Sequence, residues 1–446
     1  MILGAGAVGT AALFLLRRFV DVDERNVIVI DADRRNRNRV RALGATFVRI
    51  VITRWNFATV LASFMTEGDV LVNLACGIGS ADVIVFCQTN GLLYVDTCTD
   101  LWEDEEEKRI GAFRQRRLVL DRCGHGAGLP TALICHGANP GLITHFVKAA
   151  LQHAAAASGM IADMSADAPF AALARSMDVA LIHLTDRDNQ VCAHGDEGCS
   201  CPTNTWSMRA LLDEMFENAS AACGVNDPLR NELLVGARLT TGACEAIELA
   251  LPARSIRSRS WSPGHGPFVG YMVQHEEVFS LAEMLSGCAP DGRREYAPSI
   301  GFVYSPCPSA QAAVLSAVAA DIAAPGRVLS ETVTRGGEEI GALILRRGTS
   351  EVTWYGCALD ILAARSAVPF GNATTVQVAA AVLSGLSWTL RNPCRGLVEP
   401  EMLDHEEILR DARPYLGRVF GATGDWRPGG RGTTPRWHLS DLLVRR

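Results

Sequence analysis

The sequence predicts an α/β protein: an N-terminal parallel sheet wound with helices, a second mixed α+β domain, and C-terminal helices. Three observations predict it. Residues 4–9, Gly4-Ala5-Gly6-Ala7-Val8-Gly9, form a G-x-G-x-x-G loop between apolar Ile2-Leu3 and an apolar helical stretch, residues 11–16. Short apolar runs then alternate with helical patterns to about residue 140, which is how a parallel sheet reads. From about residue 175 the texture turns strand-rich, with Pro/Gly/Ser turns between the runs.

The first strand is short, because only three residues precede Gly4; about five or six is usual. Either the central strand is short or its start lies outside this sequence. Val27-Ile28-Val29-Ile30 is a second strand and ends at Asp31. Further apolar runs at residues 47–52, 69–74, 92–97 and 132–135 are strands three to six. Asn139-Pro140-Gly141 is a turn, and residues 142–151 carry helical apolar spacing.

In the second half, residues 179–184, 269–273, 328–332 and 342–346 read as strands, with a turn at 262–267. Residues 374–390 form a long apolar helix, and residues 421–435, rich in Gly, Arg, Thr and Pro, read as a loose or extended tail. A chain of 446 residues exceeds one ordinary core. The expected division is a Rossmann domain at 1–150, a substrate-binding and dimerisation domain at 151–365, and a helical segment at 366–446 that packs back on the first domain.

The glycine loop carries specific chemistry. Gly4 makes the tight turn, Gly6 admits a pyrophosphate to the backbone, and Gly9 lets helix approach strand. The amides of Ala7 and Val8 open the helix, whose N-terminus favours anions. Asp31 follows about 20 residues on, where a carboxylate accepts from a ribose diol. That acid repels a 2′-phosphate and favours NAD, although Arg34 and Arg35 stand just beyond it. Ligands in such sheets sit beyond the carboxyl ends of the strands. Asn73, Thr97 and Asp100 fall there, and Asn139 follows the sixth strand.

Composition narrows the function. A net charge of −7, without a basic stripe, argues against nucleic acid and suits cationic ligands. Gln377, Ser384 and Ser387 make residues 374–390 a buried helix rather than a membrane span. No secretory signal is visible, and fourteen scattered cysteines, several within apolar runs, suggest reduced thiols in the cytoplasm. Residues 192–201 hold cysteines, a histidine and acids, but the spacing fits no usual zinc pairing. They read as a polar loop, and no metal is expected.

Several segments resemble bacterial-type homospermidine synthase, a branch of the saccharopine-reductase-like enzymes. They include His136-Gly137-Ala138-Asn139-Pro140-Gly141 with Phe146-Val147-Lys148, and Asn204-Thr205-Trp206-Ser207. Arg259-Ser260-Trp261-Ser262-Pro263 and Val273-Gln274-His275-Glu276-Glu277 follow, then Trp354-Tyr355-Gly356. Asn372-Ala373-Thr374 with Gln377-Val378, and Pro414-Tyr415-Leu416-Gly417, complete an ordered set that spans most of the chain.

The resemblance implies that two putrescines, or spermidine and putrescine, are joined with loss of ammonia. A hydride passes from an aminomethyl carbon to NAD and returns after a second diamine has formed a new imine. Trp206 aligns with the family's cation–π tryptophan, Glu214 with a carboxylate for an amine end, and His275 with an active-site histidine. Asp100 and Asp186 stand where the family has glutamates, and Gly77 where it has an acid. A homodimer is implied as well. Two other readings remain open. One is a net NAD(P)-dependent secondary-amine dehydrogenase, with Arg254, Arg257 and Arg259 gripping a carboxylate. The other is a chain that binds NAD or polyamine without turnover.

Overall fold

The computed structural model describes residues 1–102, 110–160, 168–192, 203–231, 235–241, 244–288, 294–319, 327–428 and 435–444. The chain divides into two compact units. One comprises Met1–Leu142, Val328–Val333 and Ile361–Leu416; the other comprises Ile143–Arg327, Thr334–Asp360 and Gly417–Arg446.

The first unit is built on a seven-stranded sheet. From edge to edge it runs Leu397–Val398, Ala132–Leu133, Leu93–Asp96, Val70–Asn73, Ile2–Leu3, Ile28–Asp31 and Thr46–Arg49. Every pairing is parallel. Such sheets are covered on both faces, so their strands are apolar throughout. Leu3, Val29, Ile30, Leu71, Val72 and Val95 are all buried. The strand order reverses at Ile2–Leu3, which pairs with Val70–Asn73 on one side and Ile28–Asp31 on the other. That reversal is where an open α/β sheet leaves a crevice at its carboxyl edge.

Helix Ala373–Arg391 packs on the helix that follows the glycine loop, Ala7–Leu15. Asn372 caps it: its side chain accepts from Thr375 N at 2.8 Å, and the Thr375 hydroxyl accepts from Asn372 N at 3.1 Å. Among the described residues this helix alone is long and apolar enough to cross a membrane, and 89% of its apolar window is buried inside the protein.

The second unit is built on a ten-stranded sheet. Its main path runs Val235–Thr241, Cys244–Pro252, Asn218–Ala222, Ser299–Ser305, Val179–Asp188, Gly337–Arg346, Glu351–Asp360 and Arg418–Asp425. The hairpin Arg257–Ser262/Gly266–Val273 joins it through Ser299–Ser305. Ser299–Ser305 and Val179–Asp188 run parallel, side by side.

Two expectations are corrected. Residues 328–332 are not one strand: Arg327–Val328 and Val333–Arg335 are short strands, and Leu329 to Thr332 lie between them in turn conformation. Side chains take the carbonyls that a ladder would need. Asn372 Nδ2 binds Leu329 O at 2.6 Å, and Arg365 binds Glu331 O at 2.9 Å and Val333 O at 2.5 Å. The segment 366–446 is not one helical piece either. Its part beyond Leu416 belongs to the second unit, where Arg418–Asp425 adds an antiparallel strand to Glu351–Asp360. Glycines made this stretch read as loose. In the structure a Cβ at Gly421 would strike the His153 ring at 2.7 Å, and one at Gly424 would strike Trp261 at 2.8 Å. Absent side chains here admit packed rings.

Candidate functional site

The glycine loop has the geometry of a phosphate cradle. Gly4 has φ +94°, and a Cβ there would lie 2.7 Å from Leu74 O. A Cβ at Gly9 would lie 2.1 Å from Gly4 O, so only glycine lets the helix close on the strand. A Cβ at Gly6 would meet nothing within 4 Å. Gly6 is also the N-cap of Ala7–Leu15 and offers no side-chain cap, so the first-turn amides, Ala7 and Val8 included, have no cap acceptor. Asp31 sits at the carboxyl end of its strand and accepts from Ala5 N at 2.5 Å and from Asp33 N at 2.7 Å. Its carboxylate thus ties the loop to the second strand and keeps further lone pairs. Arg34 and Arg35 are exposed, and Arg35 pairs with Asp33. These residues fit a dinucleotide.

The other strand-end residues differ in character. Asn73 is buried, with its amide donating to Tyr94 OH at 3.3 Å and its carbonyl accepting from Ala75 N at 3.3 Å. Tyr94 donates to Asp96 Oδ2 at 2.8 Å, and Asp96 Oδ1 accepts from Cys135 N at 2.7 Å. This buried network locks three strand ends together. Thr97 is half-buried beside Gly137, where an added Cβ would lie 3.3 Å from that of Thr97. Asn139 is half-buried and joined to Pro140 by a cis peptide. Asp100 accepts from Gly77 N at 2.5 Å, while its backbone N–H donates to Ser80 Oγ at 3.0 Å and its carbonyl accepts from Ser80 N at 2.9 Å.

The second unit gathers the remaining candidates around Ser299–Ser305. Alternate residues of a strand share a face, so Phe302 and Tyr304 point the same way, and Tyr304 lies beside Asp186 in register. The Phe302 ring stacks on the His275 imidazole, with centroids 4.3 Å apart and planes 9° from parallel. Tyr304 OH accepts from Trp206 Nε1 at 2.9 Å.

Glu214 stands on helix Met208–Phe216, which Ser207 caps by accepting from Ala210 N at 3.2 Å. His275 Nε2 lies 3.5 Å from Glu214 Oε1, and His275 Nδ1 lies 3.2 Å from Glu277 Oε2. A ring nitrogen of His275 and carboxylate oxygens of Glu276 and Glu277 fall within 4.8 Å of one another.

These placements set the charges. Burial pulls the His275 imidazole down, but the Glu277 and Glu214 carboxylates outweigh it and hold the ring protonated well above its usual range. Burial pushes the Glu214 carboxyl up, opposed by His275. Glu217 is pushed up to about 8 by burial, reinforced by the Glu214 and Glu276 charges. Asp188, fully buried and bound to Thr205 Oγ1 at 2.6 Å, is pushed up to about 6 by burial. Glu214 and Glu277 thus flank the His275 imidazole, while Tyr304, two residues beyond the Phe302 that stacks on that ring, fixes the edge of the Trp206 indole.

Four members of this cluster were not singled out as site residues from the sequence: Glu217, Asp188, Phe302 and Tyr304. Glu217 lies three residues after Glu214, the spacing that shares a helix face, and that was the one available signal. The three candidate arginines do not form a carboxylate grip. Arg254 lies over Phe216 at 3.9 Å, Arg257 over Tyr271 at 4.7 Å, and Arg259 donates to Leu443 O at 3.4 Å. Of the cysteine-rich run, residues 193–201 lie outside the described residues.

A glycine cradle in a parallel sheet, with a separate sheet bearing an acid–aromatic cluster, is the layout of a two-unit dinucleotide-binding protein. Residues 1–121 match the family model of the saccharopine dehydrogenase NADP binding domain. The apo saccharopine dehydrogenase (L-Glu forming) of Saccharomyces cerevisiae shares the fold, with a TM-score of 0.54 at 12% identity over 95% of this chain and 99% of that one. The chain belongs to the homospermidine synthase family. It is 31% identical to the homospermidine synthase of Blastochloris viridis over 100% of this chain and 97% of that protein. It is 29% identical to that of Mesorhizobium japonicum over 100% of this chain and 96% of that protein. The crystal structure of the Legionella pneumophila homospermidine synthase in complex with NAD superposes with a TM-score of 0.90 at 30% identity, covering 100% and 97%.

Proposed function

We propose that this chain is an NAD-dependent homospermidine synthase of polyamine biosynthesis. It joins two putrescines by aminobutyl transfer with release of ammonia, or takes the aminobutyl group from spermidine, in which case 1,3-diaminopropane leaves instead of ammonia. The observation that carries the reading is the buried His275 held between Glu214 at 3.5 Å and Glu277 at 3.2 Å. Full-length similarity to two homospermidine synthases supports it.

Bound NAD supplies an acceptor that stores the hydride removed from an amine carbon and returns it before the cycle closes. Gly4, Gly6 and Gly9, with the Ala7 and Val8 amides, cradle its pyrophosphate, and Asp31 takes the ribose diol. Thr97 and Asn139 line the same strand ends, and Asn73 shapes them from beneath. The substrate is a dication, and only an uncharged amine can lose hydride or attack. Glu214 and Asp186 hold ammonium ends, and the Trp206 face takes the cationic chain between. Glu217, pushed up to about 8, accepts an ammonium proton only in its ionised form, which gains population as pH rises toward 8. His275 stays protonated and keeps Glu214 charged. Asp100 positions the Gly77 turn at the cofactor edge. The protein works in the cytoplasm as a homodimer.

The test is incubation with catalytic NAD and putrescine, followed by mass analysis of amines and absorbance of NADH. Homospermidine and ammonia in equal amounts, without NADH accumulation, is expected. Stoichiometric NADH without a coupled amine would mean a net dehydrogenase instead, and NAD retention without any product would mean a binding protein.

A further inference from the structure

The Tyr304 side chain stands between the Trp206 indole and two buried acids. Its strand partner in register is Asp186, and alternation places Asp188 on the same face as Asp186. Tyr304 is buried, with 3% of its surface exposed. Its hydroxyl accepts from Trp206 Nε1 at 2.9 Å, and the two rings lie 6.5 Å apart, inclined at 54°. The residues just before Trp206 are tied down on the same side: Thr205 Oγ1 donates to Asp188 Oδ2 at 2.6 Å, and Thr205 N donates to Asn204 Oδ1 at 2.9 Å.

We infer that Tyr304 is a positioning residue that sets the plane and strengthens the face of the Trp206 indole, and so determines affinity for the cationic part of the amine substrate. This rests on the placement of Trp206 in the amine site proposed above. Two physical effects combine. An indole has one N–H and no acceptor, so a single fixed acceptor at its edge selects one ring orientation. Donation from that N–H also shifts electron density toward the ring, because hydrogen bonds polarise the groups they join. A cation over the face is attracted by that density.

The Tyr304 hydroxyl has to stay protonated to act as a neutral acceptor. Burial and the nearby Asp186 and Asp188 charges push its ionisation well above the ordinary phenol range. The same strand carries Phe302, on which His275 stacks. One strand therefore orients both the aromatic wall and the imidazolium, two residues apart.

The test is a double-mutant cycle on the full-length enzyme with NAD and putrescine. Leaving a buried donor unsatisfied costs about 1–3 kcal/mol, so Tyr304→Phe raises KM for putrescine about tenfold. It changes kcat less than about twofold and leaves NAD affinity unaltered. In the Trp206→Phe background, which has no N–H to bind, Tyr304→Phe adds nothing. An equal KM increase in both backgrounds overturns the inference, as does a loss confined to kcat. Trp206→Phe alone checks the underlying reading: unchanged KM there removes the amine site from Trp206, whatever Tyr304 does. In the unmutated chain, the Trp206 indole N–H is identified by NMR as the resonance missing from Trp206→Phe. It exchanges slowly with solvent, and rapid exchange overturns the inference without any Tyr304 variant.

Discussion

The cofactor cradle and the amine cluster are built in opposite ways. The cradle is local and made of backbone: Gly4, Gly6, Gly9 and Asp31 fall within one strand–helix–strand unit. The cluster is assembled from side chains on separate elements, Asp186 on one strand, Trp206 just before a helix and Glu214 in that helix's last turn, His275 at another helix cap, and Tyr304 on a neighbouring strand. A backbone site tolerates no side chain where the ligand approaches but is indifferent to distant substitutions. A side-chain site depends on each partner in turn, and its charges depend on one another.

The contrast can be broken most forcefully at Gly6. Its φ of −69° suits any residue, and a Cβ there has open space around it. Gly6→Val therefore folds but fills the pyrophosphate's place. Overpacking costs about 1–3 kcal/mol, and each 1.4 kcal/mol is tenfold, so NAD affinity measured by calorimetry falls by about ten- to 100-fold or more. Retained affinity would show that the loop is not the cradle.

Next come Trp206→Ala and Glu214→Gln. Truncating one member of a buried charge pair costs about 2–5 kcal/mol, so turnover of putrescine drops by about 100-fold while NAD titrations are unchanged. Full activity in both would detach the amine chemistry from this cluster. Equal loss of NAD affinity would mean that the two sites are not independent.

The smallest effect sharpens the electrostatics. Glu217 keeps its proton in the folded chain up to about 8, against an ordinary value of 4.5. Between those pH values the unfolded chain binds fewer protons, so this group lowers stability as pH rises and has no further effect above about 8. Glu217→Gln lacks that penalty. Its Tm relative to the unmutated protein rises from pH 5 to pH 8 and is then flat. A constant difference across that range would place Glu217 in water rather than in the cluster.

The same contrast explains what could be read from residues alone. The glycine spacing, Asp31 and the apolar strands at 28–31, 70–73 and 93–96 are short-range patterns, and the sheet follows from them. Glu214, His275 and Trp206 were reached through a resemblance, because no short-range rule joins residues 206, 214 and 275. Phe302 and Tyr304 lie in Ser299–Ser305, a strand that the residue pattern did not single out, and only the register beside Asp186 makes them neighbours of the cluster. The run at 328–332 failed for a related reason: Asn372 and Arg365, distant in sequence, hold its carbonyls. Asn73 looked like a ligand residue by position, yet its amide is committed to Tyr94, a partner no spacing announces.

The returning helix Ala373–Arg391 and edge strand Leu397–Val398 complete the first unit from a point far down the chain. On the ribosome, the glycine loop is made before the whole central portion, and the helix that covers its neighbour emerges only after it. Domains generally fold as units, N-terminal first, but here the first unit's sheet waits, with an uncovered apolar face, for a helix made after most of the second unit. The nascent chain must be kept from sticking through that interval, and a message cut short before residue 373 yields a nucleotide fold that never closes.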